Sequence, residues 1–319
     1  MKRRHALLAA PALAAALLLP GAAAAQDYPA KTVKIVAPVQ PGGGVDLVAR
    51  TVAEQLTRSL GQTFIVENLS GGGGVIAAQA VAKAAPDGYT LMLGYVATHG
   101  TVPAVRKVAY DAVKDFTPIA MVAGTPNVLV IANSVPATDA RSLIEYAKAN
   151  KVSYGSAGQG SLTHLAMEQF RTAAGFEAVH AAYRGIGPAI TDILGGQTHM
   201  MMPGLAAAVP HIRANKMKPI AVTGLKRHPL LPEVPTFEEL GYKGFDGVQW
   251  YGIVGPAGMP AAVTRKLNDE INKAIGTPEL QKRLSGEALD VMPMSPEQFG
   301  RFMQADIAKW AKLAKDRNI

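Results

Sequence analysis

The residues best suited to chemistry in this chain lie between Tyr154 and His164, in the run Tyr-Gly-Ser-Ala-Gly-Gln-Gly-Ser-Leu-Thr-His. A short strand-like run precedes it, and Leu162, Leu165, Ala166 and Phe170 recur behind it at helical spacing. A glycine-rich turn at a helix start leaves backbone N–H groups unpaired and aligned, with the positive end of the helix dipole behind them. Ser156, Ser161 and Thr163 add hydroxyls at the same place. Together these groups suit a small anion such as a carboxylate or phosphate. Taken alone, the stretch reads equally well as a plain strand-to-helix turn with Ser161 as N-cap.

Other stretches imitate catalytic motifs and fail on context. Gly72-Gly73-Gly74-Val75-Ile76-Ala77 fits G-x-G-x-x-A, but a glycine tract makes that match cheaply and no acidic or basic residue is placed to read a ribose. Ser156 lacks the leading glycine of a nucleophile elbow. No phosphate-binding G-x-x-x-x-G-K-[ST] occurs, and the seven histidines include no H-E-x-x-H pair. His164 sits inside a helical pattern that explains it as a packed or hydrogen-bonding residue, and capping explains Asp46 and Asp192. With no cysteine, a disulfide framework, a thiol nucleophile and a Cys-ligated zinc site are all excluded. The chain is read as a non-enzyme with no metal and no cofactor.

The elements that would position such turns alternate along the chain. Strand-like runs at Thr32–Ala37, Thr63–Glu67 and Thr90–Gly94 are separated by glycine turns and by helices. The first helix carries Val45, Val48, Val52 and Leu56 on one face and stops at Gly61. The pattern restarts after residue 125 with Val128–Ala132, a helix around Leu143, the strand into Ser156, and strands at Ala178–Tyr183, His199–Met202 and Ile220–Thr223. A late strand at Trp250–Gly255 leads into three helices, two of them opened by Thr277-Pro278 and by Ser295-Pro296 with Gln298 in capping-box register. Strands alternating with helices imply βαβ units and a parallel sheet, whose ligand crevice lies beyond the carboxyl ends of the strands.

The N-terminus adds a compartment. Lys2-Arg3-Arg4, an apolar run from Ala6 to Leu19 and Ala23-Ala24-Ala25 form a secretory leader with cleavage expected before Gln26. Removing those three cations lowers the formal charge from +8 to +5, and no basic run interleaves with aromatics, which argues against nucleic acid. No later run reaches the roughly 18 apolar residues of a membrane span. An exported chain without disulfides must rest on a full-size core, and one that is 49% hydrophobic has the material for it.

Matched blocks in order along the chain carry a family resemblance. They include Pro41-Gly42-Gly43 with Asp46 and Arg50, Val66-Glu67-Asn68, Pro86-Asp87-Gly88-Tyr89-Thr90, and Tyr110-Asp111 with Asp115-Phe116. They continue through Gly155-Ser156-Ala157-Gly158 with Gly160 and His164-Leu165, Tyr183-Arg184-Gly185, Asp192 with Gly195-Gly196, and Val234-Pro235-Thr236 with Glu238. Pro256-Ala257-Gly258, Pro260 and Trp310 complete the set. The chain resembles the extracytoplasmic solute receptors of the tripartite tricarboxylate transporter family, the Bug receptors, from Tyr28 to Lys315.

That resemblance implies an α/β, two-lobed periplasmic binding protein of the "Venus flytrap" type, with mostly parallel sheets and two chain crossovers. It divides the chain into a leader (1–25), a discontinuous first lobe (26–126 and 250–319) and a second lobe (127–249). It implies a small carboxylate, dicarboxylic, tricarboxylic or aromatic, held between the lobes and delivered by a monomeric receptor to membrane transporter subunits. The expected ligand-binding residues are Gly42, Gly43, Gly44, Asp46, Thr98, Ser156, Ala157, Gly158, Gly160, His164, Tyr183, Arg184 and Gly204. The first loop departs from the family pattern. Gly44 and Val45 stand where a Ser or Thr is usual, and Val39 replaces a common aromatic, which favours a less polar or bulkier acid. The alternative reading is a sensor of the same fold that feeds a signalling partner.

Overall fold

The structure, a computed structural model, describes residues 28–317; the expected leader and its cleavage point lie outside them. The first half-sheet is built as the alternation predicts. β1 (Val33–Ala37), α1 (Gly44–Leu60), β2 (Phe64–Asn68), α2 (Val75–Ala82) and β3 (Thr90–Tyr95) form two parallel pairings, β1 lying between β2 and β3. Val45, Val48, Val52 and Leu56 of α1 are all buried, and Gly61 ends the helix in the left-handed conformation that a glycine adopts without strain. A π-helical turn (Ala97–Thr101) and the single turn α3 (Val102–Val105) follow, then the long strand β4 (Phe116–Pro126).

After β4 the chain enters a second sheet with only Asn127 between. That sheet is made from β5 (Val128–Ala132), α4 (Ala140–Ala149), β6 (Val152–Ser156), α5 (Leu162–Ala174), β7 (Ala178–Ala182), α6 (Ile186–Leu194), β8 (Met200–Met201), α7 (Leu205–Arg213) and β9 (Met217–Val222). The chain returns through β10 (Val248–Pro256) and finishes with α8 (Ala261–Ile275), α9 (Pro278–Gly286), β11 (Asp290–Val291) and α10 (Pro296–Arg317). Strand order is β11-β4-β10-β3-β1-β2 in the first sheet and β7-β6-β8-β5-β9 in the second, each with its own apolar core.

Both sheets are mixed rather than mostly parallel, for a topological reason. β4 carries the chain out and β10 brings it back, so they lie side by side and antiparallel, from Val248 opposite Pro126 to Pro256 opposite Phe116. β10 is also antiparallel to β3, and β5 is antiparallel to both β8 and β9. The parallel pairs are those closed by a crossover helix, as βαβ geometry requires.

The junction between lobes is pinned. Fully buried Asn127 receives a hydrogen bond on its carbonyl from Thr223 N–H (2.8 Å) and donates its amide N–H to Thr223 Oγ1 (2.8 Å). Its side chain donates to the Met202 carbonyl (2.7 Å), and Thr223 Oγ1 donates on to Gly247 O (2.9 Å). Beside this junction, Asp306 of α10 accepts the indole N–H of Trp250 (2.8 Å) and of Trp310 (2.9 Å), the chain's two tryptophans. Burial raises the Asp306 pKa against the opposing pull of those two donors and of Lys309.

Candidate functional site

Between the lobes lies a cavity whose empty space, open solvent at its mouth included, is about 700 Å³. Four helix N-termini reach it: α1 through Gly42–Gly44, α5 through Ser161–Thr163, α6 through Gly185–Gly187, and α7 through Gly204. A helix start presents unpaired N–H groups and partial positive charge. Of the four, only α5 has a side-chain cap, with Ser161 Oγ accepting from His164 N–H (3.3 Å); α1, α6 and α7 follow glycines that supply none. At α7 the N–H of Ala206 is met from the other lobe by Thr125 Oγ1 (3.3 Å). No Asp, Glu, Lys, Arg or His is among the described residues that line the cavity. An anion there would be held by neutral donors alone.

The turn before α5 is braced from behind. The N–H of Ala157 donates to Thr163 Oγ1 (2.8 Å), that of Gly158 to Ser156 Oγ (3.1 Å), that of Gly160 to His164 Nδ1 (3.3 Å) and that of Ser161 to Gly158 O (3.1 Å). Ser156 Oγ also pairs with His180 Nε2 at 2.6 Å. His180, His164 and Tyr154 form a cluster of near-parallel rings, with centroids 4.1 Å apart for His180 and His164, 4.8 Å for His180 and Tyr154, and 6.4 Å for His164 and Tyr154. Burial, with a smaller contribution from His180, pushes the His164 pKa down to about 4, so that ring is neutral at physiological pH. Gly158 has a φ of +124°, and a Cβ there would lie 3.1 Å from the Tyr183 carbonyl oxygen. That position therefore needs glycine both for conformation and for space.

Of the residues expected from sequence, Gly42, Gly43, Gly44, Ala157 and Gly204 line the cavity. Ser156, Gly158, Gly160 and His164 lie behind it as the brace just described. Asp46 also lies behind, accepting from Gly42 N–H (3.2 Å), Arg50 Nε (3.0 Å) and Asn68 Nδ2 (2.8 Å). Burial opposes its ionisation, but those bonds outweigh it and hold the carboxyl below the usual range. Thr98 is fully buried, with its hydroxyl bonded to the Tyr95 carbonyl (3.1 Å) and to His99 Nδ1 (2.8 Å). Tyr183 donates its hydroxyl to Asp192 (2.6 Å), while Arg184 is exposed and outside the lining. Ser156 and His164 are not hydrogen-bonded to each other; the histidine that Ser156 meets is His180.

Sequence reasoning missed Tyr95 and Tyr251, which form the first lobe's floor together with Val39, Val45 and Ala97, and Gln249 at the crossover between the lobes. Tyr95 ends β3 and so sits at the carboxyl end of a strand beside the crevice, a signal that was available. Tyr251 and Gln249 belong to the start of β10, which runs the opposite way and brings its first residues to the same edge.

Known proteins agree with this architecture. A model of the tripartite tricarboxylate transporter family receptor matches residues 48–319. Protein BugT of Bordetella pertussis is 32% identical over 296 residues, covering 92% of this chain and 91% of BugT. The solved structure of R. palustris Rpa4515 with adipate is 35% identical, covers 92% of this chain and 99% of that one, and aligns with a TM-score of 0.89. That of MatC from Rhodopseudomonas palustris with bound malate is 31% identical, covers 90% and 99%, and aligns at 0.85. The fold, the uncharged cleft ringed by helix starts and these matches agree: the chain belongs to the tripartite tricarboxylate transporter receptor family, whose members are solute-binding receptors of the periplasmic binding protein type and not enzymes.

Proposed function

We propose that this chain is exported, loses its leader near Gln26, binds a small carboxylate between its lobes and delivers it to the membrane subunits of a tripartite transporter. The observation that carries this reading is the convergence of four helix N-termini, three of them opened by glycines that have no capping side chain of their own, on one cavity with no charged residue in its described lining. Such a site binds an anion through backbone N–H groups, directly or through ordered water. The structures of relatives solved with adipate and with malate support the carboxylate class. In this reading Gly42–Gly44, Ala157 and Gly204 touch the ligand. Asp46, Thr98, Ser156, Gly158, Gly160, His164 and Tyr183 hold the loops in place, and Arg184 contributes nothing direct.

The lobes, 26–126 with 250–319 and 127–249, close on a ligand that touches both, and the membrane partner recognises the closed state. Closure works by population shift: a ligand favours that state only by its extra affinity for it. A thermal-shift screen of the purified protein against dicarboxylates, tricarboxylates and aromatic acids tests the reading. At 100 times its dissociation constant a ligand adds about 2.7 kcal/mol, a visible rise in the midpoint. Absence of a shift with every carboxylate, together with a clear shift by a neutral solute such as a sugar, refutes it.

A further inference from the structure

Tyr95 and Tyr251 are direct cross-strand partners on β3 and β10, so their rings share one face of the first sheet. They are 8% and 3% exposed, and both line the cavity. Neither hydroxyl has a hydrogen-bond partner among the described residues. Both hydroxyl oxygens open onto the cavity rather than being sealed from it, so they are two donors with no protein partner facing one space, and an acceptor placed there can pair with both. Independently, the backbone of α1 is shaped to admit one of them: a Cβ on Gly44 would stand 2.6 Å from Tyr251 Oη. The first turn of α1 and the phenol therefore converge on the same point, on the first lobe's side of the cleft. The starts of α5, α6 and α7 lie on the second lobe's side.

We infer that Tyr95 and Tyr251 form a phenol clamp that selects ligands with oxygen acceptors at both ends, one for each lobe, over acids with a single polar end. This rests on the carboxylate reading above and goes further, assigning the residues that read the second end. The clamp donates two neutral hydrogen bonds beside a helix start, while the lining between, Val39, Val45, Leu162 and Ile186, suits an apolar spacer. A straight-chain dicarboxylate has this form, and bridging both lobes is what would make it favour closure. A monocarboxylate of equal length can satisfy only one lobe and leaves the phenols unpaired.

The test is calorimetry with straight-chain diacids, adipate among them, and the monoacids of matching length, on wild type, Tyr95→Phe, Tyr251→Phe and the double variant. Removing an unpaired hydroxyl leaves the ring packing intact, so the variants should melt at or above the wild-type temperature, and folding is not in question. Hydrogen bonds to a charged group are worth a factor of about 10 to about 100 each. Wild type should prefer the best diacid to its monoacid by at least about tenfold, and the double variant should lose that preference while holding the monoacid within about threefold. Monoacids bound as tightly as diacids, or variants that weaken both series equally, overturn the clamp and leave the carboxylate reading standing. If neither series binds to wild type, the clamp is overturned, and the carboxylate reading is then decided by the tricarboxylates and aromatic acids of the thermal-shift screen.

Discussion

Gly44→Ala puts one methyl group against one hydroxyl. The new Cβ would sit 2.6 Å from Tyr251 Oη and 3.2 Å from Cζ, where ordinary contact begins near 3.4 Å. The hydroxyl must therefore yield by most of an ångström. Tyr251 is 3% exposed and flanked on both sides by paired strands, so its ring has only the cleft to move into. Overpacking of this kind costs about 1–3 kcal/mol, and the better helix propensity of alanine returns at most about 1 kcal/mol. A net loss of about 1–2 kcal/mol follows, with a fall in ligand affinity as the hydroxyl leaves its place. The second variant settles the cause. Tyr251→Phe deletes the atom that collides, so in Gly44→Ala/Tyr251→Phe most of the stability should return, while affinity stays at the level of Tyr251→Phe alone. Urea unfolding gives the double-mutant cycle, and the coupling energy should be about 1 kcal/mol or more. A cycle that closes with no coupling, or a Gly44→Ala protein with wild-type stability and affinity, would refute the geometry.

Three further outcomes follow from the same structure. His99 is fully buried beside Phe116 with its Nε2 unpaired, and burial pushes its pKa down to about 3. Below about pH 6.5 the unfolded chain takes a proton here that the folded chain refuses until about pH 3, so stability falls as the pH drops through that window, on the order of 5 kcal/mol in all. His99→Gln should remove about 1.4 kcal/mol per pH unit from the slope between pH 6 and pH 5, and an unchanged slope contradicts it. Carboxylate affinity should change less than about threefold between about 0.05 and about 0.5 M salt, because no charged side chain is present in the described lining to be screened; a steep loss in a salt titration would mean a cationic site. Gly158→Asp should weaken binding more than about 100-fold, whereas Gly158→Ala, which adds strain without charge, should weaken it less. Equal effects in calorimetry would make the position purely conformational.

Local signals in the sequence were read well where one element decided them. The buried face of α1, the N-cap at Ser161, the capping box at Ser295 and Gln298, and Thr277-Pro278 at the start of α9 all appear in the structure. β4 escaped because Pro118, Gly124 and Pro126 interrupt its pattern. Pro118 is tolerated where the register with β10 slips, beside Val254, and Gly124 leaves room for Val248 and Met292. The site was half visible for the same kind of reason. Glycine turns announce themselves locally, so Gly42–Gly44, Ala157 and Gly204 were found. Whether Ser156 faces a ligand or a histidine depends on His180 in the neighbouring strand, and no spacing rule carries that. The pairing of Tyr95 with Tyr251 likewise exists only once β10 has returned from the other lobe.

That return has a consequence for the order in which the molecule can be made. Residues 127–247 form one unbroken segment that contains every strand of the second sheet, whereas the first sheet needs β10 and β11 from near the end of the chain. During synthesis the second lobe can complete its core while the first holds only three parallel strands and the unpaired edge of β4. Pairing of Tyr95 with Tyr251 closes a very long loop and comes late, since non-local contacts are the slow ones. In refolding followed by pulsed hydrogen exchange, amides of β5, β6 and β9 should gain protection before those of β4 and β10. The clamp and the cleft floor are therefore assembled last, so no partly made chain carries a working site.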